Sequence, residues 1–215
     1  MKSYMVVGLG RFGTQVARKL YELGCEVLAI DTVATKVQQV SNDVTHAVVG
    51  DARDKEILRA LGAKDFDCAV VAIGDSLADS VLATMNLKEL GVPKVICKAS
   101  NETHRQVLKK LGADQVVIPE HEHADRLAKS LASKNVLDYI ELSDDYGIIE
   151  VPAPAAWFEK SLIELNVRAK LGVNILAVRR GGDITVSPSA DFRICQEDVL
   201  VVLGDTAALN AVQKL

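Results

Sequence analysis

The chain has 215 residues, 49% of them hydrophobic, and a formal net charge of −4. That length holds one large or two modest domains with a real core, and lysines and arginines scattered through an acidic chain exclude an electrostatic nucleic-acid surface. No apolar run approaches the ~20 residues of a spanning helix and the N-terminus lacks a signal pattern, so the expectation is a cytoplasmic protein with no direct membrane insertion.

In chain order, Tyr4-Met5-Val6-Val7 forms a predicted strand running straight into Gly8-Leu9-Gly10-Arg11-Phe12-Gly13. Gly8 permits a tight turn into a helix, Gly10 removes the Cβ that would obstruct a pyrophosphate, and Gly13 lets the helix approach the sheet. Phosphates then meet free N–H groups at a helix N-terminus. The helix carries Phe12, Val16, Leu20 and Leu23 on one apolar side. Arg11, in its first turn, sets a planar guanidinium beside the phosphate position. The next strand, residues 26–30, leads into Asp31, eighteen residues beyond Gly13, where a carboxylate accepts from ribose hydroxyls. Further strands are predicted over 45–49, 68–73, 94–98 and 115–118, with helices headed by Asp54 and over 76–90 and 103–111, and with Gly62, Gly91 and Gly112 at their stops. Strands made almost wholly of Val, Ile and Ala imply an α/β, Rossmann-type parallel six-stranded sheet covered on both faces.

Residues 121–135 extend this pattern by one helix, with Ala124, Leu127, Ala128, Leu131 and Ala132 on a single side. That stripe suits packing on a second copy of the chain or back on its own domain. His121-Glu122-His123 has no further Cys or His nearby and fits a solvated helix entry better than a metal site. Cys25, Cys68, Cys97 and Cys195 lack CxxC spacing, as free buried thiols would. After Leu142 the pattern changes to short strands, expected over 148–151, 174–179, 184–186 and 199–203, with helical stretches near Leu162 and Ala208 and a hairpin turn at Gly181-Gly182-Asp183. These describe a second, small α+β domain whose core is marginal by itself. The expected division is 1–140 and 141–215.

Several segments together resemble a known family: Gly8 to Gly13, Asp31, Gly50-Asp51-Ala52, Val71-Ala72-Ile73-Gly74, Lys98-Ala99, Ile118-Pro119-Glu120, Ser161-Leu162, Asn174-Ile175-Leu176-Ala177-Val178 and Asp198 to Gly204. The chain resembles, over essentially its whole length, the RCK proteins of Ktr-type potassium uptake systems. The resemblance implies an N-terminal domain that binds ATP or ADP, a crossover helix joining the two chains of a homodimer, and a C-terminal domain that binds cyclic di-AMP at its dimer interface. It also implies dimers assembled into an octameric ring against a membrane potassium-translocating subunit, peripheral to the inner face of the membrane. In family terms Arg11 reaches the terminal phosphate of ATP, Glu120 works there with a cation (Mg, Ca or Na), and Asp31 is the ribose ligand. Gly8, Gly10, Phe12, Gly13, Asp51, Ala52, Ile73 and Lys98 complete the nucleotide contacts, with Asp51 standing where an amide side chain can occur in relatives. Arg168, Asn174, Ile175 and Ala177 match the cyclic di-AMP pocket.

Two other functions compete. A small NAD-dependent oxidoreductase needs an acid/base group beside the nicotinamide, and Tyr4, Tyr21, Tyr139 and Tyr146 have no lysine four residues on. An NAD(H)-binding redox sensor would use the same Asp31, which does not tell the adenosine of NAD from that of ATP. Arg11 favours a nucleotide with a free terminal phosphate, and the expected function is a non-enzymatic gating subunit.

Overall fold

The structure is a computed structural model that describes residues 1–132, 138–143 and 145–215. The chain divides into two compact units, Met1–Glu120 and His121–Leu215. The boundary expected after residue 140 differs from this division.

The first unit alternates strand and helix: β1 (Ser3–Val7), α1 (Arg11–Glu22), β2 (Glu26–Asp31), α2 (Ala34–Val40), β3 (His46–Val49), α3 (Lys55–Ala60), β4 (Cys68–Val71), α4 (Leu77–Glu89), β5 (Val95–Lys98), α5 (Glu102–Lys110) and β6 (Gln115–Val117). All six strands are parallel, in the order β3-β2-β1-β4-β5-β6. Alternation along each strand sends apolar side chains to both faces. Val6, Val27, Ala29 and Val70 pack with Ala17 of α1 and Val37 and Val40 of α2, whereas Met5, Leu28, Ile30, Ala69 and Val71 pack with Leu58 of α3, Leu87 of α4 and Leu108 of α5. Each large side chain so buried contributes about 1.5–3 kcal/mol. Three helices are capped locally: Asp54, Ser76 and Asn101 accept from the N–H groups of Glu56, Asp79 and His104. The predicted stops Gly62, Gly91 and Gly112 have φ of +70°, +82° and +88°, the left-handed backbone that glycine adopts without strain.

Three expectations for this unit change. The fourth strand ends at Val71, because Ala72 and Ile73 leave the sheet to line the opening above it. Leu23 lies beyond the end of α1 and is 68% exposed, so the apolar side of that helix is Phe12, Val16 and Leu20. α2 was absent from the sequence expectation.

α6 (Pro119–Ala132) runs from the first unit into the second. It starts two residues ahead of the expected 121, with Pro119 in the first turn, where its missing N–H costs nothing; residues 133–135 of the expected helix lie outside the described residues. Ala124, Leu127, Ala128 and Leu131 of its apolar stripe are exposed.

The second unit then builds β7 (Asp138–Glu141), β8 (Tyr146–Pro152), the short α7 (Leu162–Leu165) and α8 (Val167–Leu171), β9 (Asn174–Arg180), β10 (Asp183–Val186), β11 (Asp198–Asp205) and α9 (Thr206–Gln213). Its sheet is antiparallel, ordered β10-β9-β11-β8-β7. The four expected strands are present, and β7 adds a fifth at the edge. In β11 every second residue from Asp198 to Gly204 is buried, so Leu200 and Val202 join Ile149, Val151 and Val178 beneath Leu209 and Val212 of α9. Gly181-Gly182 turns β9 into β10, with Gly181 at φ +58°. At the start of β11 the buried Asp198 accepts from Arg180 Nε (2.7 Å), Arg180 Nη2 (2.9 Å) and the Cys195 N–H (2.8 Å), tying three segments together. No helix among the described residues is long and apolar enough to cross a membrane.

Candidate functional site

Strand order reverses between β2, β1 and β4, and a cleft of about 240 Å³ opens at their carboxyl ends, the place where doubly wound sheets bind ligands. The three glycines divide the work there. Gly8 turns the chain at φ +91° while its N–H donates to Ile30 O at 2.8 Å. A Cβ on Gly13 would stand 1.9 Å from Gly8 O, so only glycine lets α1 come so close. A Cβ on Gly10 would meet nothing within 4 Å, and Gly10 lines the cleft. Gly10 is also the N-cap of α1; no side chain caps that end, and no acidic residue sits in its first turn. The end of a twelve-residue helix therefore offers its N–H groups and partial positive charge to an anion.

Asp31, at the end of β2, lines the cleft but is only 9% exposed. Its Oδ2 accepts from the Leu9 N–H at 2.7 Å and its Oδ1 from the Val33 N–H at 2.9 Å, with the Lys36 ammonium 3.7 Å from Oδ2. One carboxylate thus braces the glycine turn and lines the cleft.

Beyond Asp31, Asp51 and Ala52 follow β3, as expected for cleft residues. The Asp51 carboxylate is taken up by Arg53: Oδ1 accepts from its backbone N–H and Nε, both at 2.9 Å, and Oδ2 from Nε and Nη2 at 3.0 and 2.6 Å. These bonds hold the Asp51 carboxyl below its usual range. Arg53 Nη1 reaches Asp79 Oδ1 at 3.0 Å in the first turn of α4, and the buried Asn86 of α4 donates to Ala52 O and Arg53 O. Ile73 and Gly74, after β4, form the facing wall.

The remaining expected nucleotide contacts, Arg11, Phe12, Lys98 and Glu120, gather beside the cleft. Lys98 Nζ donates to Glu120 Oε1 at 2.6 Å and stands 5.9 Å from the Phe12 ring centroid. A Cβ on Gly74 would meet that same Nζ at 3.3 Å, which places the ammonium against the cleft wall. The Lys98 hydrogen bond, then Glu120's own backbone, then the charges of Lys98 and Arg11 hold the Glu120 carboxyl low. Lys98 is an enclosed ion-pair partner, its side chain 16% exposed.

Sequence reasoning missed Arg53, Asp79 and Lys36. Lys36 had a local signal, five residues past Asp31 and near the start of α2; the 26-residue separation of Arg53 and Asp79 left none. In the second unit Arg168 lies exposed on α8, and β9 carries an exposed Asn174, a half-buried Ile175 and a buried Ala177, with the sheet register shifting opposite them between Val201 and Val202. His121 and His123 are exposed, and no group of three or more metal-binding side chains occurs among the described residues. Burial raises the Cys68 thiol and pushes that of Cys97 up to about 11; all four cysteines are free.

Residues 4–119 match the TrkA-N domain family and residues 147–215 the TrkA-C domain family. The chain is 43% identical to the Ktr system potassium uptake protein C of Bacillus subtilis over 213 residues, covering 99% of this chain and 96% of that protein. It is also 43% identical to the Ktr system potassium uptake protein A of the same organism, covering 94% and 91%. The solved GsuK RCK domain superposes with a TM-score of 0.71 at 21% identity, all of this chain covering 47% of that one, a likeness of fold. With both domains matched in order and nearly the full length of two relatives aligned, the chain belongs to the TrkA-N/TrkA-C family of Ktr potassium uptake proteins.

Proposed function

We propose that the chain is the cytosolic, non-catalytic gating subunit of a potassium uptake transporter, switched by ATP and ADP in the first unit. The carrying observation is the uncapped N-terminus of α1, open at Gly10, with Asp31 on one side and the Arg11, Lys98 and Glu120 group on the other. A ligand biases a conformational equilibrium only through differential affinity for its states. ATP and ADP differ at the terminal phosphate, so Arg11 and Glu120 are the groups assigned to tell them apart, with a magnesium, calcium or sodium ion held by Glu120. Glu120 pairs with the Lys98 ammonium.

The exposed stripe on α6 supports a homodimer built on that helix, the dimers closing into an octameric ring against a membrane potassium-translocating subunit. Cyclic di-AMP is assigned to the second unit at Arg168, Asn174, Ile175 and Ala177, across a dimer interface. The domain division in this reading is 1–140 and 141–215.

Calorimetry of the purified chain with ATP, ADP, NAD and NADH tests the first site. Arg11→Ala is expected to weaken ATP about tenfold more than ADP, the worth of one or two charge-assisted contacts, and to lower ATP-dependent uptake through the transporter. Equal losses for both nucleotides would remove the switch from Arg11, and tighter binding of NADH than of ATP would replace the reading with a redox sensor.

A further inference from the structure

We infer that Arg53 is the base-stacking wall of the cleft, a binding residue that grips a purine through the flat face of its guanidinium. The inference rests on the nucleotide reading above. Phosphates belong at the Gly8–Gly13 turn after β1 and the ribose at Asp31 after β2. Sheet order then places the base beyond Asp31, toward the end of β3, where Asp51, Ala52 and Arg53 line the same cleft.

At that end the expected polar partner of a base is already used. The Asp51 carboxylate accepts from three N–H groups of Arg53, its backbone N–H, Nε–H and Nη2–H, between 2.6 and 3.0 Å, with the one Nε proton shared between both oxygens, which takes up most of its acceptor capacity. Arg53 is held equally well. Its Nε and Nη2 are spent on Asp51 and its Nη1 on Asp79, 26 residues away on a different helix. Asn86 anchors the carbonyl oxygens of Ala52 and Arg53 itself, so the loop cannot carry the side chain away. All three guanidinium nitrogens make in-plane contacts that fix the orientation of the group, and the side chain, 47% exposed at the cleft, offers a ligand its planar face beside the N–H groups not spent on Asp51 and Asp79. A held, planar, weakly hydrated cation stacks on aromatic rings. Such a wall favours aromatic bases over none and discriminates little among purines, because the edge-reading group Asp51 is occupied.

The test uses the full chain with ADP, GDP and inorganic pyrophosphate as probes. Arg53→Ala and Arg53→Lys should each weaken ADP and GDP about five- to thirtyfold, the worth of one cation–base stack, and leave pyrophosphate binding unchanged. Lysine keeps the charge and loses the plane, so an Arg53→Lys variant that binds ADP like the parent refutes stacking. In the unaltered protein the Arg53 Nε–H resonance should move upfield on adding ADP, from the ring current of a stacked base, and stay put with pyrophosphate. A resonance unmoved by saturating ADP refutes the inference with no variant needed. A parent protein that binds pyrophosphate and no nucleotide more tightly would strike the nucleotide reading itself, whereas ADP bound equally by parent and Arg53→Ala would strike Arg53 alone.

Discussion

One added methyl group, placed at Gly10 or at Gly13, should have opposite consequences three residues apart. At Gly13 the new Cβ would lie 1.9 Å from Gly8 O and 2.9 Å from the Ala72 Cβ, where real Cβ atoms stay beyond 3.0 Å. The obstacle is backbone, so α1 or the turn must shift by about 1 Å, and the cost falls at the upper end of overpacking, about 3 kcal/mol. For a unit of this size that lowers the melting temperature by roughly 10 °C. At Gly10 the Cβ meets nothing within 4 Å and the backbone (φ −73°, ψ −175°) suits any residue. The weaker cap that alanine makes is offset by the smaller entropy of the unfolded chain, which leaves stability within about 0.5 kcal/mol. The methyl instead stands where a pyrophosphate must approach, at the cost of one or two charge-assisted hydrogen bonds, a loss of about ten- to hundredfold in ADP affinity. Scanning calorimetry reads the first unit, which tryptophan fluorescence cannot, since the lone tryptophan, Trp157, lies in the second. A Gly10→Ala protein that melts as early as Gly13→Ala, or one that is stable and binds ADP like the parent, would refute the division of labour among the glycines.

In the second unit Asp198→Asn should destabilise by about 2 kcal/mol, less than for a fully enclosed pair because Arg180 is half in solvent; Trp157 fluorescence in urea reads it. Arg180 holds the Asp198 carboxyl below its ordinary 3.8, so its contribution is complete above about pH 4 and disappears as pH falls further, an acid slope that Asp198→Asn should lack. His104 is 2% exposed and burial lowers its pKa from 6.5. The unfolded chain therefore takes up that proton first, and stability of the first unit should decline as pH drops below about 6.5, by at most ~1.4 kcal/mol per pH unit. Calorimetry at pH 7.5, 6.5 and 5.5 checks this, and a decline that survives in His104→Gln would assign it to another group.

What could be anticipated from sequence was local. Gly8, Gly10 and Gly13 each act through backbone within a few residues, and the sheet follows from unbroken apolar runs whose helices end in glycine. α2 carries Val37 and Val40 on its buried side, a helical spacing too short over seven residues to separate from a loop. β7 reads Asp138-Tyr139-Ile140-Glu141, too short and without the alternation that marks a strand, and takes its form by pairing with β8. At the site, the placement of Asp31 and Asp51 after their strands was legible, but not their partners. Arg53 joining Asp79 in α4, and Lys98 at the end of β5 joining Glu120 in α6, are contacts between segments that only the parallel sheet brings together, and no spacing rule encodes them.

The bond from the Leu9 N–H to Asp31 also constrains how such a protein can diversify. A carboxylate that served only a ligand could be exchanged freely as lineages adopted other ligands, each step judged on binding alone. Here the same oxygen fastens the turn that positions Gly10, so replacing Asp31 by a basic or apolar residue removes an acceptor from a buried amide before any new ligand is gained. A change of ligand at this position must therefore pass through a less stable protein, or wait for a second substitution that satisfies Leu9. The cleft is better placed to change its preferences at the exposed Arg53 end, where substitutions leave the turn untouched.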